Sequence, residues 1–326
     1  MTRIALMNDY QSVAMGCADW SRLPQGCELE IFHDHMTGVE VLAERLADFD
    51  VVMAMRERTP FPRALLERLP RLKMVANTAM WNVSLDIDCC TELGILICGT
   101  AGGSMPTFEL TWGLIFAITR NIPLEHYETQ GGAWQSSLGI ELDGRTLGLL
   151  GLGTIGGRVA EVGRVFGMRV IAWSANLTAE QARACGAELA ASKEAVLREA
   201  DILSLHYRLG ERSRGMIAEA ELALMKPGAY LINTSRGPLV KEAALIDALQ
   251  RRAIAGAALD VFDQEPLAPD HAYRKLDNVI VSPHMGYVTE ETYGIFYGET
   301  LENILAYLKD EPLRVLNPDV LENRRR

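Results

Sequence analysis

The chain has 326 residues, 48% of them hydrophobic and 23% charged. That is the composition of a folded globular protein, and the length exceeds what one ordinary core organises, so about two domains are expected. A net charge of −11 excludes a surface built to bind a phosphate backbone, and no nucleic-acid partner is expected. The terminal Arg324-Arg325-Arg326 is too short to reverse that balance and reads as a solvated end.

Cys17, Cys27, Cys89, Cys90, Cys98 and Cys185 show no C-x-x-C spacing and no grouping of metal ligands. A disulfide framework is a device of small secreted domains, and a chain of this size has no need of one. Cys89 and Cys90 read as packing residues. The sequence opens on the strand-like Arg3–Met7 with no apolar signal core, and no apolar run reaches the length of a membrane span. A cytoplasmic protein is therefore expected.

Short apolar runs alternate with amphipathic stretches from end to end, which predicts an α/β protein with parallel sheets. In the first hundred residues the strands are expected at Ile4–Met7, Val51–Met55, Leu72–Ala76 and Ile95–Cys98. Helices are expected between them at Val39–Ala47, Pro62–Leu69 and Ile87–Leu93. The stretch from Thr100 to Thr107, with Gly102, Gly103, Ser104 and Pro106, reads as a hinge leading into an apolar helix, Phe108–Ile118. A second series of strands follows at Thr146–Leu150, Arg169–Trp173, Ile202–Leu205, Ala229–Asn233, Ala257–Val261 and Val279–Val281. A helix over Glu290–Lys309 and an extended tail, Val315–Pro318, close the chain. The first block lacks a closing element, so the last helix and tail are expected to return to it. That gives two Rossmann-like or flavodoxin-like parallel-sheet domains with an interdomain cleft. One comprises 1–100 with 290–326 and binds substrate; the other, 101–289, binds a nucleotide.

Gly151-Leu152-Gly153-Thr154-Ile155-Gly156 stands between a strand and a helical stripe of Ile155, Val159, Val162 and Val165. Strand, glycine turn and helix form the setting a dinucleotide site requires. Gly151 makes the turn, Gly153 lets a pyrophosphate approach the backbone, and Gly156 packs helix on strand. Thr154 and Ile155 open the helix whose N-terminus meets the negative charge.

Three later strands each end in a polar segment, the place where open α/β sheets put their ligands. These segments carry Arg236, Glu265 and His284. An arginine can hold a carboxylate in a forked pair of hydrogen bonds, and a histidine can protonate a carbonyl oxygen as hydride arrives. A glutamate beside it fixes the tautomer and favours the charged ring. Singly, each has an ordinary reading: a loop arginine is usually solvated and a strand-end histidine often caps a backbone group. As a set on successive strand ends they point to hydride transfer at a 2-keto acid.

These pieces resemble the D-isomer-specific 2-hydroxyacid dehydrogenases: the Gly151–Gly156 turn, Ile232–Pro238, Leu259–Phe262 through Glu265-Pro266, and Pro283–Gly286, with Thr107–Arg120 and Trp134-Gln135 agreeing as well. The resemblance implies a homodimer and Arg236, Glu265 and His284 as the catalytic residues. It implies that Thr234, Asp260 and Gly286 line the cofactor site and that His206 and Tyr207 pass the adenosine. It also implies a loop, Asn77–Asn82, whose backbone N–H groups at Ala79 and Met80 hold the substrate carboxylate. Family members commonly have glycine where Ala79 stands, and a methyl group there fits only ordinary backbone dihedrals. Trp81 suits a pocket wall or packing on the domain surface equally well.

At the end of the second nucleotide-domain strand, where an NAD site carries an acid, this chain has Ser174, with Asn176 two residues on. Nothing there repels a 2′-phosphate, so NADP is slightly favoured over NAD. The expected reaction is glyoxylate- or hydroxypyruvate-reductase-like. Two alternatives stay open: a nucleotide-sensing binding protein of the corepressor type, which has the same triad but long extensions, and a phosphite-type dehydrogenase. Formate dehydrogenases carry glutamine where Glu265 stands and are disfavoured.

Overall fold

The computed structural model describes residues 1–103 and 105–325. Ser104 of the expected hinge and Arg326 of the basic end lie outside the described residues. The chain divides into two compact units, Met1–Gly103 with Thr289–Arg326, and Ser104–Val288.

The first unit holds a five-stranded sheet: β1 (Thr2–Leu6), β2 (Cys27–Ile31), β3 (Val51–Ala54), β4 (Met74–Asn77) and β5 (Leu96–Cys98). Their order is β2-β1-β3-β4-β5 and every pairing is parallel. The sequence reading missed β2, because Glu28 and Glu30 break its apolar pattern. It is an edge strand, where charge discourages pairing with another chain. Arg3 on the neighbouring strand reaches Glu30 at 3.2 Å. Leu42, Leu46, Leu65, Leu66, Cys89 and Cys90, from three short helices, pack on Val52, Val75 and Ile97 of the sheet. The two adjacent cysteines are thus packing residues, as expected. The helix Glu290–Leu308 belongs to this unit, where Asn303 Nδ2 donates to Gly99 O at 2.7 Å. The tail lies along β5, with Leu316 N–H donating to Ile97 O at 2.8 Å.

The second unit holds seven parallel strands: β6 (Thr146–Leu150), β7 (Arg169–Trp173), β8 (Glu188–Leu189), β9 (Ile202–Leu205), β10 (Tyr230–Asn233), β11 (Gly256–Leu259) and β12 (Val279–Val281). Their order is β12-β11-β10-β9-β6-β7-β8. Alternate residues feed two cores. Leu203, Leu205, Leu231 and Ala257 face one, while Ile202, Ile232, Ala258, Leu147 and Leu149 face the other. Burial on both faces explains why β6, β7, β9, β10 and β11 are near-continuous apolar runs and could be placed from sequence within about a residue or two, whereas the exposed edge strand β8 was missed. The order reverses direction at β6, the switch point where such sheets open a crevice for ligand. The glycine turn sits there.

One expectation is corrected. The helix Thr154–Val165 buries Gly156, Gly157, Val159, Ala160 and Gly163, while Val165 is 81% exposed. Val159 is buried and Ile155 and Val162 pack against the core, so only Val165 leaves the expected stripe, and Gly156, Gly157, Ala160 and Gly163 let the helix lie close against the sheet. Among the described residues no helix is long and apolar enough to cross a membrane.

Candidate active site

The glycine turn is built by steric need. Gly151 has φ +94°, and a Cβ there would stand 2.5 Å from His206 O. A Cβ on Gly156 would stand 2.4 Å from Gly151 O. Gly153, by contrast, faces open space, with nothing within 4 Å of where a Cβ would be. The turn is therefore closed underneath and clear above, at the start of a twelve-residue helix whose first residues are Thr154 and Ile155. That geometry fits a pyrophosphate resting on helix N–H groups.

On either side of the turn stand the other residues expected at a nucleotide. Ser174 follows β7 half-buried, and Asn176 is exposed. His206 turns its ring inward, its Nε2 2.9 Å from Ser204 Oγ. Burial lowers its pKa to about 4, so the ring is neutral at physiological pH. Tyr207 lies beside Gly151 next to the His206 carbonyl, its Cδ2 3.3 Å from the position of a Cβ on Gly151.

The loop after β10 is wired by its own asparagine. Asn233 Oδ1 accepts from Ser235 N–H and its Nδ2 donates to Arg236 O, both at 3.0 Å. Arg236 Nη1 donates to Ser235 O at 2.7 Å. A Cβ on Gly237 would lie 2.1 Å from the carbonyl carbon of Phe262, so only glycine lets this loop press on the one after β11. In that second loop Glu265 Oε1 accepts from Phe262 N–H at 2.9 Å. Its Oε2 stands 2.6 Å from Nδ1 of His284, which follows β12. With Nδ1 engaged, Nε2 is the nitrogen left to exchange a proton. The ring of Tyr287 meets the imidazole edge-on, centroids 5.2 Å apart. His284 itself adopts φ +55°, the left-handed region.

Asp260 is fully buried, and burial raises its carboxyl pKa against the pull of its hydrogen bonds. Oδ1 accepts from Ser282 Oγ at 2.5 Å and Met285 N–H at 2.7 Å, and Oδ2 accepts from Gly286 N–H at 2.9 Å. The carboxylate thus holds the turn that carries His284. Gly286 O accepts from Thr107 Oγ1 at 2.7 Å. Thr234, 6% exposed, shares a 2.8 Å contact with Thr111 Oγ1. Sequence reading missed this use of Thr107, Thr111 and Ser282. The available signal was two hydroxyls at i and i+4 on an otherwise apolar helix.

In the first unit, Asn77 Nδ2 donates to Ala79 O at 2.7 Å and Asn82 Nδ2 to Asn77 Oδ1 at 2.8 Å. Ala79 has φ +72°, so the ordinary dihedrals its methyl group called for are not met. Its N–H is taken by Thr100 Oγ1 at 2.7 Å. Met80 and Trp81 are exposed, 53% and 66% respectively.

The family model for the D-isomer specific 2-hydroxyacid dehydrogenase, NAD binding domain, matches residues 112–286. The chain belongs to that family. It is 41% identical over 271 residues to a glyoxylate reductase of Aeropyrum pernix, covering 80% of this chain and 81% of that one. A D-3-phosphoglycerate dehydrogenase of Methanocaldococcus jannaschii is 36% identical over 272 residues, 82% of this chain and 52% of its own length. Among solved structures, a phosphoglycerate oxidoreductase from Vibrio cholerae superimposes with a TM-score of 0.90 at 36% identity, covering 95% of this chain and 99% of that one. The protein is thus an NAD(P)-dependent D-2-hydroxyacid dehydrogenase, transferring hydride between the nicotinamide and a 2-keto or 2-hydroxy acid.

Proposed function

We propose that this dehydrogenase reduces a small 2-keto acid of the glyoxylate and hydroxypyruvate type, with His284 as proton donor and NADPH slightly preferred over NADH. The observation that carries the reading is the 2.6 Å contact between His284 Nδ1 and Glu265 Oε2. A carboxylate at that distance stabilises the protonated ring, which then donates from Nε2 to the carbonyl oxygen. The bound nicotinamide supplies the hydride. Arg236 takes the substrate carboxylate in a forked, charge-assisted pair. On the loop after β4, Met80 is the backbone donor, because the N–H of Ala79 is already given to Thr100. The role left to Ala79 is to make the left-handed turn that exposes Met80. Gly151, Gly153, Thr154, Ile155 and Gly156 cradle the pyrophosphate, while Ser174, Asn176, His206 and Tyr207 line the adenosine side. The likeness to a glyoxylate reductase supports a short substrate.

The test is steady-state reduction of glyoxylate, hydroxypyruvate, pyruvate and longer 2-keto acids with each nicotinamide. The reading expects the highest kcat/KM among the two- and three-carbon acids, and faster turnover of longer or branched acids overturns it. We also propose a homodimer. Tyr127, Trp134 and Leu138 are 73%, 79% and 94% exposed within one short stretch, a concentration of apolar surface that supports a second copy as its cover. A monomer mass in sedimentation equilibrium at micromolar concentration counts against it.

A further inference from the structure

The end of β7 lacks the acid that usually reads the adenosine ribose, yet the position is not left bare. Tyr207 comes to it from across the sheet. Its residue follows β9, and β6 lies between β9 and β7. The ring crosses that gap beside Gly151, its Cδ2 3.3 Å from where a Cβ on that residue would stand. It stacks on Trp173, the last residue of β7, with centroids 6.5 Å apart and planes at 25°. The phenol oxygen then accepts from Ala175 N–H at 3.0 Å, in the loop just after Ser174. Backbone fixes the tyrosine from the other side as well, since Tyr207 O accepts from Ser235 Oγ at 2.5 Å.

That arrangement leaves the hydroxyl with a defined polarity. Its oxygen is occupied by the Ala175 N–H, and no acceptor among the described residues takes its hydrogen. Among the described residues the Ser174 hydroxyl has no side-chain partner either, and the residue is half-buried. Residue Arg208, next in sequence, is exposed and ion-pairs with nothing among the described residues. The segments Ser174–Leu177 and His206–Gly210 contain no carboxylate. An acid at this place accepts from the ribose 2′-hydroxyl and repels a 2′-phosphate. A cluster of donors does the reverse, offering hydrogen bonds that a phosphate accepts more strongly than a neutral hydroxyl.

We infer that Tyr207 is a specificity-determining residue for the cofactor, donating its phenol hydrogen to the group on the 2′-carbon of the adenosine ribose and so favouring a 2′-phosphate. Ser174 and Arg208 act beside it. The inference rests on the glycine turn holding a dinucleotide, as set out under the proposed function. Within it, the stacked ring fixes where the hydroxyl stands and the Ala175 N–H fixes which way it points.

Tyr207→Phe keeps the ring and its stacking on Trp173 and removes only the hydroxyl. Calorimetric titration with NADP⁺, NAD⁺ and the fragment adenosine 2′,5′-bisphosphate reads the effect without turnover. Relative to wild type, the variant's affinity ratio of NADP⁺ to NAD⁺ is expected to fall about tenfold, the scale of one hydrogen bond to a charged acceptor. The bisphosphate should weaken in parallel with NADP⁺. Arg208→Ala is expected to lower the same ratio. An unchanged ratio in Tyr207→Phe overturns the inference, and so does an equal loss for both dinucleotides, which would make the tyrosine a general brace. If wild type binds neither dinucleotide, the nucleotide reading of the glycine turn falls, and this inference with it.

Discussion

Asp260 holds the backbone of Gly286, its Oδ2 accepting from the Gly286 N–H at 2.9 Å while Oδ1 takes Met285 N–H and Ser282 Oγ. Three donors thus converge on one buried carboxylate and fix the turn on which His284 stands. An asparagine in its place offers one acceptor oxygen and turns an NH₂ donor toward groups that are themselves donors. Asp260→Asn is therefore expected to lower kcat on the order of tenfold or more, the rate equivalent of one or two buried hydrogen bonds lost. Steady-state kinetics at saturating cofactor checks it. Wild-type kcat in the variant would mean the turn is held by other contacts.

The pair of His284 and Glu265 predicts two separable effects. His284→Ala removes the proton donor and should cost on the order of 10²-fold or more in kcat. Glu265→Gln leaves the imidazole in place but deletes the negative charge 2.6 Å away. The ring then loses the carboxylate that orients it through Nδ1, so kcat for reduction should fall, though by less than in His284→Ala. Wild-type kcat in Glu265→Gln would show that the two side chains are not coupled in turnover.

What was legible in the sequence follows from burial. The inner strands β6, β7 and β9 are covered on both faces, so their apolar runs start and stop where the strands do. Edge strand β2 was illegible because Glu28 and Glu30 serve the solvent side of a sheet margin. The proposed triad stood out in the sequence because Arg236, Glu265 and His284 each follow an apolar run that ends in a polar break. The hydrogen-bond wiring beneath it did not. The resemblance implied that Asp260 lines the cofactor site, and the structure shows both its oxygens bonded to the neighbouring turn. Likewise the spacing of Trp173 and Tyr207 along the chain gives no hint that β6 lies between them, and their stacking depends on that strand order.

His206 supplies a pH prediction with a definite sign. Its pKa is lowered by burial from 6.5 to about 4 in the folded protein, so the unfolded chain takes up a proton first as the solution is acidified. The stability contributed by the neutral ring is complete above pH 6.5 and is lost as pH falls toward 4. One unit of separation is worth about 1.4 kcal/mol, so the loss is measurable. Other groups titrate in that range too, and the variant isolates this one. In His206→Gln, which retains a hydrogen-bonding partner for Ser204, Tm should decline less between pH 7 and 4.5 than in wild type. Parallel Tm curves for the two proteins would remove His206 as the source.

Ala79 offers the last test, and two opposing magnitudes decide its direction. At φ +72° its Cβ crowds the backbone, which costs an L-residue roughly 1–2 kcal/mol. Glycine relieves that crowding but gives the unfolded chain more freedom, roughly 0.5–1 kcal/mol against folding. Relief is the larger effect, so Ala79→Gly is expected to stabilise the protein by about 0.5–1 kcal/mol. The loop keeps its wiring in the variant, because Asn77 Nδ2 bonds the carbonyl of residue 79 and Thr100 Oγ1 its N–H, and neither contact uses the methyl group. Urea unfolding at pH 7 reads the difference through the midpoint. A lower midpoint in Ala79→Gly would show that packing of the methyl group outweighs the strain of the turn.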